Sequence, residues 1–237
     1  MDGPRLRRLV DLNAGAESPW ARGPEPKRSP APAIVETNQR TRNLAKYERA
    51  SGIERRLLGR FRQQLVDEVL RTAPDTILDA GCGEGVVTGW IADALPSAAI
   101  TAVDADPAAV AECARRSGDV DVGIADVYDL PFANASFELV VATEVLEHID
   151  SPRVAVRELA RVSAGALLLT VPREPFFRLG NLARGRYVRR LGSTPGHVNT
   201  WGRRSFLRQL DGEASATLRW RGALPWQLVV ADVTDAA

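Results

Sequence analysis

The residues best placed to do chemistry lie in Ile77-Leu-Asp-Ala-Gly-Cys-Gly-Glu-Gly85, where a short apolar run meets glycines ahead of a helical pattern. Glycines at such a turn let a ligand approach bare backbone. Dinucleotide enzymes use glycine turns too, so the acidic residues nearby carry the choice. Asp79 stands two residues before Gly81, where a carboxylate suits an ammonium group and sits poorly beside a pyrophosphate. Asp104 ends the next apolar run, a position from which an acidic group takes ribose hydroxyls. Asp126 follows a third run in Gly123-Ile-Ala-Asp-Val-Tyr128, where an adenine amino group would lie. Together they make a cup for an adenosine with a cationic tail. Each aspartate taken singly has a structural alternative as a helix cap or turn former, and Asp126 fits that alternative most easily.

Positioning these residues needs strands that all point the same way. Strands are expected at residues 76–79, 99–103, 120–124, 137–142 and 166–171, with helices at 84–95, 106–116 and 152–162 between them. Asp106-Pro107 and Ser151-Pro152 supply an N-cap and a proline at the first helical position. Strand and helix alternating in this rhythm mean a parallel sheet with right-handed crossovers. Ahead of the first strand, Leu58, Phe61, Leu65 and Val69 form one apolar stripe, predicting a helix within 44–72 that packs on the domain. After Val171 the rhythm breaks into a polar, basic insertion to about residue 199, a helix at 203–210, and strands at 216–220 and 227–230.

Bulk composition narrows the class. A chain of 237 residues suits one α/β domain with appendages. Lys plus Arg (31) nearly balances Asp plus Glu (30), so no broad field selects nucleic acid. Cys82 and Cys113 cannot build a disulfide framework, and no metal site is expected from their spacing. No stretch approaches the ~18 apolar residues of a membrane span, and no signal peptide is read at the start, so the expected location is cytoplasmic. Residues 1–40, interrupted by Pro4, Pro19, Pro24, Pro26, Pro30 and Pro32, are expected to be a disordered tail, leaving 41–237 as the domain.

DAGCGEG, AVDADP, the IADVYDLPFANASFELVVATEVLEHI stretch and LLLTVP resemble, in order and spacing, the motifs of class I S-adenosylmethionine-dependent methyltransferases. The likeness is to the small-molecule, methyltransferase type 11 group that includes ubiquinone and menaquinone methyltransferases. It implies a Rossmann-like seven-stranded α/β sheet in the order 3-2-1-4-5-7-6, with strand 7 antiparallel and helices on both faces. It implies S-adenosyl-L-methionine as cofactor, with Asp79, Gly81, Cys82 and Gly83 at its methionine end and Asp104 on the ribose. Ala105 would pack on adenine, Asp126 and Val127 would meet the adenine edge, and Thr143 and Glu144 would face the methyl group. Tyr47 would close over the cofactor.

His148 and His197 are the two histidines, both expected in loops at the carboxyl edge of the sheet, and both are candidates for a general base. His148 has a structural alternative, shaping its turn through a backbone hydrogen bond; His197 has one in stabilising its loop. The 172–200 insertion would cover the substrate. Its Arg173, Arg178, Arg184, Arg186, Arg189 and Arg190 read first as the solvated basic face of a lid, and second as a peripheral membrane contact through 173–190. Trp201, Trp220 and Trp226 are expected to pack in the core. The expected activity is methyl transfer to an O, C or N atom of a small-molecule, quinone- or lipid-like acceptor. The alternatives are an NAD(P)-dependent oxidoreductase, disfavoured by Asp79, and a non-catalytic module that binds the same cofactor. A nucleic-acid acceptor is ranked low because Thr143-Glu-Val-Leu stands where an Asn/Asp-Pro-Pro-Tyr/Phe motif would.

Overall fold

Alternation along the strands decides the architecture. In β1 (Thr76–Ala80), Ile77 and Leu78 are both fully buried but point to opposite faces, so the sheet is covered on both sides. The computed structural model describes residues 50, 52–185, 187–213 and 216–233. The expected tail, Tyr47 and Arg186 lie outside the described residues.

The other strands are β2 (Ala99–Asp104), β3 (Asp121–Ile124), β4 (Phe137–Thr143), β5 (Ser163–Pro172), β6 (Ala216–Ala223) and β7 (Trp226–Val233). They form one sheet in the order β3-β2-β1-β4-β5-β7-β6. β1 to β5 pair in parallel, and β7 runs antiparallel to both β5 and β6. This is the seven-stranded order expected from the motifs. Strand order reverses between β1 and β4, and ligands bind at such a switch point, outside the carboxyl ends of the strands.

Helix α1 (Gly52–Thr72) lays its stripe of Leu58, Phe61, Leu65 and Val69 on the face carrying Ile77, Leu139 and Leu168. α2 (Val86–Ala94) joins it there through Val87 and Ile91, and α3 (Pro107–Arg116) covers β2 and β3. The opposite face takes α4 (Pro152–Val162) and α6 (Arg203–Leu210), which bury Val156, Leu159, Phe206 and Leu210 against Val140, Leu167 and Leu169. α5 (Phe176–Ala183) lies in the insertion, and one-turn 3₁₀ segments occur at Leu146–His148 and Val188–Arg190. Among the described residues no helix is long and apolar enough to cross a membrane.

One local expectation is corrected. Asp106 caps α3 as predicted, accepting from the Ala108 N–H at 3.0 Å, but the Ser151 side chain makes no cap hydrogen bond. Proline at the first position of α4 already lacks the donor such a cap would satisfy. The Ser151 backbone N–H instead donates to the Tyr128 hydroxyl at 3.0 Å. Phe61, fully buried, stands 4.9 Å from the Trp226 ring and 6.3 Å from Trp90. Phe61→Ala is expected to cost roughly 3–5 kcal/mol in urea denaturation. An unchanged midpoint would mean that α1 is not docked on the sheet.

Candidate functional site

The turn after β1 is bent by three residues with left-handed φ: Gly81 (+78°), Gly83 (+54°) and Gly85 (+77°). The Gly81 and Cys82 N–H groups donate to the Val103 carbonyl at 2.7 and 2.9 Å, tying the turn to the end of β2. At Gly81 a Cβ would fall 2.4 Å from Val145 Cγ2, so only glycine fits there. At Gly83 a Cβ would meet nothing within 4 Å among the described residues. That leaves open space before the backbone of this turn, a cradle a ligand can approach.

Three carboxylates surround it. Asp79 is 1% exposed, and the Thr88 hydroxyl donates to its Oδ2 at 2.6 Å. Burial pushes its pKa up to about 6, against the Thr88 hydrogen bond and with help from the Asp104 charge. Asp104 accepts the Gly83 N–H on Oδ2 at 3.0 Å and the Asp106 N–H on Oδ1 at 2.9 Å. Each carboxylate oxygen can accept a further hydrogen bond, so the side chain braces the turn and still offers acceptors. Glu84, which the sequence reading missed although it stands between Gly83 and Gly85, is likewise raised by burial, and Asp104 again adds to the rise. That the Asp104 charge raises both neighbours marks excess negative potential, and a cation placed there relieves it. The residues fit a ligand with an ammonium or sulfonium centre. Cys82 is chemically quiet: the Cys113 thiol beside it, then burial, push it far above the usual thiol range.

Ala105 is exposed beside Asp104. Asp126 lies two residues past Ile124, the register partner of Asp104, and the Ala125 N–H donates to the Asp104 carbonyl. Its Oδ1 accepts the Tyr128 N–H at 3.0 Å, so it is a turn former as well as a neighbour of the cup. Val127 is buried in the core cluster. The structure therefore brings Asp79, Asp104 and Asp126 to the tips of β1, β2 and the segment after β3.

The tip of β4 supplies the other wall. Among the described residues Thr143 Oγ1 is buried with no hydrogen-bond partner, as is Oγ1 of its register partner Thr170 on β5. Glu144 follows with φ +55°, a left-handed conformation that a non-glycine residue holds only when its surroundings impose it. The Trp226 indole N–H donates to Glu144 Oε1. Trp226 is thus both core, as expected, and part of the site.

His148 and His197 meet, with ring centroids 4.9 Å apart at 83°. His148 Nδ1 lies 3.0 Å from the Gly196 carbonyl, the backbone-bracing role weighed from sequence, although the carbonyl belongs to a distant loop. The insertion is not simply a solvated basic face. Arg184 pairs with Glu54 of α1 at 2.5 Å and Arg178 donates to the Leu191 carbonyl at 3.1 Å. Arg173 stacks over Phe176 and Trp220, and Arg203 lies 4.3 Å from the Trp220 ring centroid. Trp220 is half-buried between arginines rather than in the core; Trp201 is buried as expected.

Residues 78–169 match the family model described as "Methyltransferase domain". Over 100 residues the chain is 42% identical to a "probable S-adenosylmethionine-dependent methyltransferase" of Mycobacterium tuberculosis, covering 42% of this chain and 35% of that one. Over 129 residues it is 32% identical to malonyl-[acyl-carrier protein] O-methyltransferase of Legionella pneumophila, covering 52% and 45%. The chain thus spans less than half the length of these curated relatives. Magnesium protoporphyrin IX methyltransferase from Synechocystis, solved with bound SAH, shares the fold at TM-score 0.59 and 15% identity, covering 83% of this chain and 94% of that one.

Proposed function

We propose, from the premise that residues 78–169 of this chain are a methyltransferase domain of the class I, Rossmann-like kind, that it uses S-adenosyl-L-methionine to methylate a small molecule. The observation that carries this is the trio Asp79, Glu84 and Asp104 around the open Gly83 cradle, an acidic hollow made for a cation. Asp79 takes the ammonium of the methionine end and Asp104 the ribose hydroxyls. Ala105, Asp126 and Val127 flank the adenine. Thr143 Oγ1 and Glu144 face the reacting end, where the hydroxyl gains the partner it lacks among the described residues. The bound sulfonium supplies an already activated methyl group. The chain's task is then to align an O, C or N nucleophile in line with it and keep water out. His148 and His197 are the side chains that would hold or deprotonate the acceptor.

For the acceptor, the insertion is the guide. Phe176, Leu179, Val188 and Leu191 are exposed, with Arg189 and Arg190 beside them. An apolar surface edged by arginines favours a quinone-, acyl- or lipid-like molecule with an anionic group, and allows peripheral contact with an anionic membrane through 173–190. The domain comprises 41–237 and works in the cytoplasm.

Thermal shift tests the cofactor assignment. S-adenosylhomocysteine at 100 times its dissociation constant should stabilise the chain by about 2.7 kcal/mol, raising Tm by several degrees. NAD and NADP should leave Tm unchanged; the opposite pattern would return the oxidoreductase alternative. Labelled S-adenosylmethionine with a small-molecule extract should yield a labelled product, and none would be formed by a non-catalytic module.

A further inference from the structure

Glu147, His148 and His197 are brought together by a loop docking on the turn after β4, although His197 lies 49 positions beyond His148. The Val198 and Asn199 N–H groups donate to the Glu147 carbonyl at 2.8 and 3.2 Å, and the Asn199 side-chain amide donates to the carbonyls of Leu146 and Ile149. The loop is therefore stitched to the 3₁₀ turn Leu146–His148, and the three side chains share a fixed base. One donor atom from each lies within 4.8 Å of the others.

We infer that Glu147, His148 and His197 form a binding site for one divalent transition-metal ion. The hydrogen bond from His148 to the Gly196 carbonyl requires the proton on Nδ1, so in the neutral ring the lone pair is on Nε2. A carbonyl partner of this kind is what usually orients a metal-binding imidazole. Phe177 stacks on His197 at 29° with centroids 5.9 Å apart, and the Phe177 ring in turn meets Trp226 edge-on, which holds the second imidazole in place. Glu147 is 1% exposed, and its negative charge is the counter-charge a buried cation needs. Two imidazoles and one carboxylate suit Zn²⁺, Mn²⁺, Fe²⁺ or Co²⁺ better than Mg²⁺, which prefers an all-oxygen shell. Donors bound about 2.1 Å from a metal stand closer together than 4.8 Å, so the side chains close on the ion by small rotations.

Three protein ligands leave positions for water or a further oxygen. An acceptor hydroxyl taking such a position would give up its proton more readily, so a metal here would select acceptors methylated on a hydroxyl oxygen. That use rests on the methyl-transfer reading; the metal site does not. Calorimetry with Zn²⁺, Mn²⁺, Co²⁺ and Mg²⁺ chloride on the untagged, metal-stripped chain separates the two. The expected result is one ion per chain, Zn²⁺ bound more tightly than Mg²⁺. His148→Ala and His197→Ala should each weaken Zn²⁺ by more than the roughly 10–100-fold that losing a mere orienting partner costs. Glu147→Gln should do the same; because Glu147 is buried, the exposed His148 provides the variant that leaves the fold intact, checked by S-adenosylhomocysteine-independent circular dichroism. Absence of Zn²⁺ binding, or binding that survives both histidine replacements, would overturn the site and leave the trio a structural cluster of one carboxylate and two imidazoles. Metal bound as expected with no effect on methyl transfer would leave the site standing and remove only its use.

Discussion

Asp79→Asn should make the ligand-free chain more stable at pH 8 and a much poorer binder of S-adenosylhomocysteine. The carboxylate is buried, and its pKa of about 6 lies above the ordinary 3.8. The folded state therefore holds the proton more tightly than the unfolded one. Stability from protonated Asp79 is fully present below pH 3.8 and lost as pH rises through about 6. A shift of this size corresponds to something on the order of 3 kcal/mol. Asparagine does not ionise and keeps an oxygen to accept the Thr88 hydrogen bond, so it escapes that loss. Chemical denaturation at pH 8 should show the variant ahead, with the gap closing toward pH 4.

Binding should move the other way. An ammonium group favours the ionised carboxylate, and a hydrogen bond to a charged group contributes about 1.5–3 kcal/mol. Asparagine should weaken S-adenosylhomocysteine by roughly 10–100-fold, which is the same free energy at 1.4 kcal/mol per decade. The unaltered chain should lose affinity as pH falls below about 6, while the variant's affinity stays flat across that range. Calorimetry at pH 5 and pH 8 reads both. A variant that melts lower at pH 8 and binds equally well would make Asp79 a structural residue only.

What the sequence made legible follows from how local each feature is. The stripe Leu58, Phe61, Leu65 and Val69, the runs that became β1 to β5, and Asp106-Pro107 at the start of α3 are patterns within a dozen residues, and all appear where periodicity placed them. The convergence of Asp79 and Asp104 was legible too, because parallel neighbours put successive strand ends together. What stayed hidden depends on chain-distant contacts. Trp226 reaches Glu144 across 82 positions, and it does so only because β7 inserts antiparallel beside β5. The docking of Gly196 to Asn199 on Leu146–His148 has no local signature, so His148 and His197 looked like two separate loop histidines. Glu147 belonged to a recognised motif, but its burial beside both imidazoles is a tertiary fact. The Arg173–Trp220–Arg203 stack was likewise invisible, because a basic run gives no hint of which arginines find aromatic partners.

Gly81→Ala and Gly83→Ala should fail in opposite ways, although they differ by two positions in one turn. Both glycines have left-handed φ, which costs an alanine roughly 1–2 kcal/mol. At Gly81 the added methyl also lands 2.4 Å from Val145 Cγ2, with Cγ1 at 3.3 Å. A β-branched side chain has few rotamers to escape into, so the turn and the segment after β4 must separate, adding about 1–3 kcal/mol. Gly81→Ala should therefore lose roughly 2–5 kcal/mol of stability. Adding Val145→Ala removes the branch and should return much of the second part, a coupling a double-mutant cycle detects. At Gly83 the methyl meets nothing within 4 Å among the described residues. Gly83→Ala should cost only the conformational part in stability, yet its methyl projects into the cradle where the ligand would lie. S-adenosylhomocysteine binding should fall at least tenfold, about 1.4 kcal/mol, while the melting temperature drops less than for Gly81→Ala. If instead Gly83→Ala bound S-adenosylhomocysteine as well as the unaltered chain, the open space before this turn would not be the cofactor's seat, and the carboxylates around it would need another occupant.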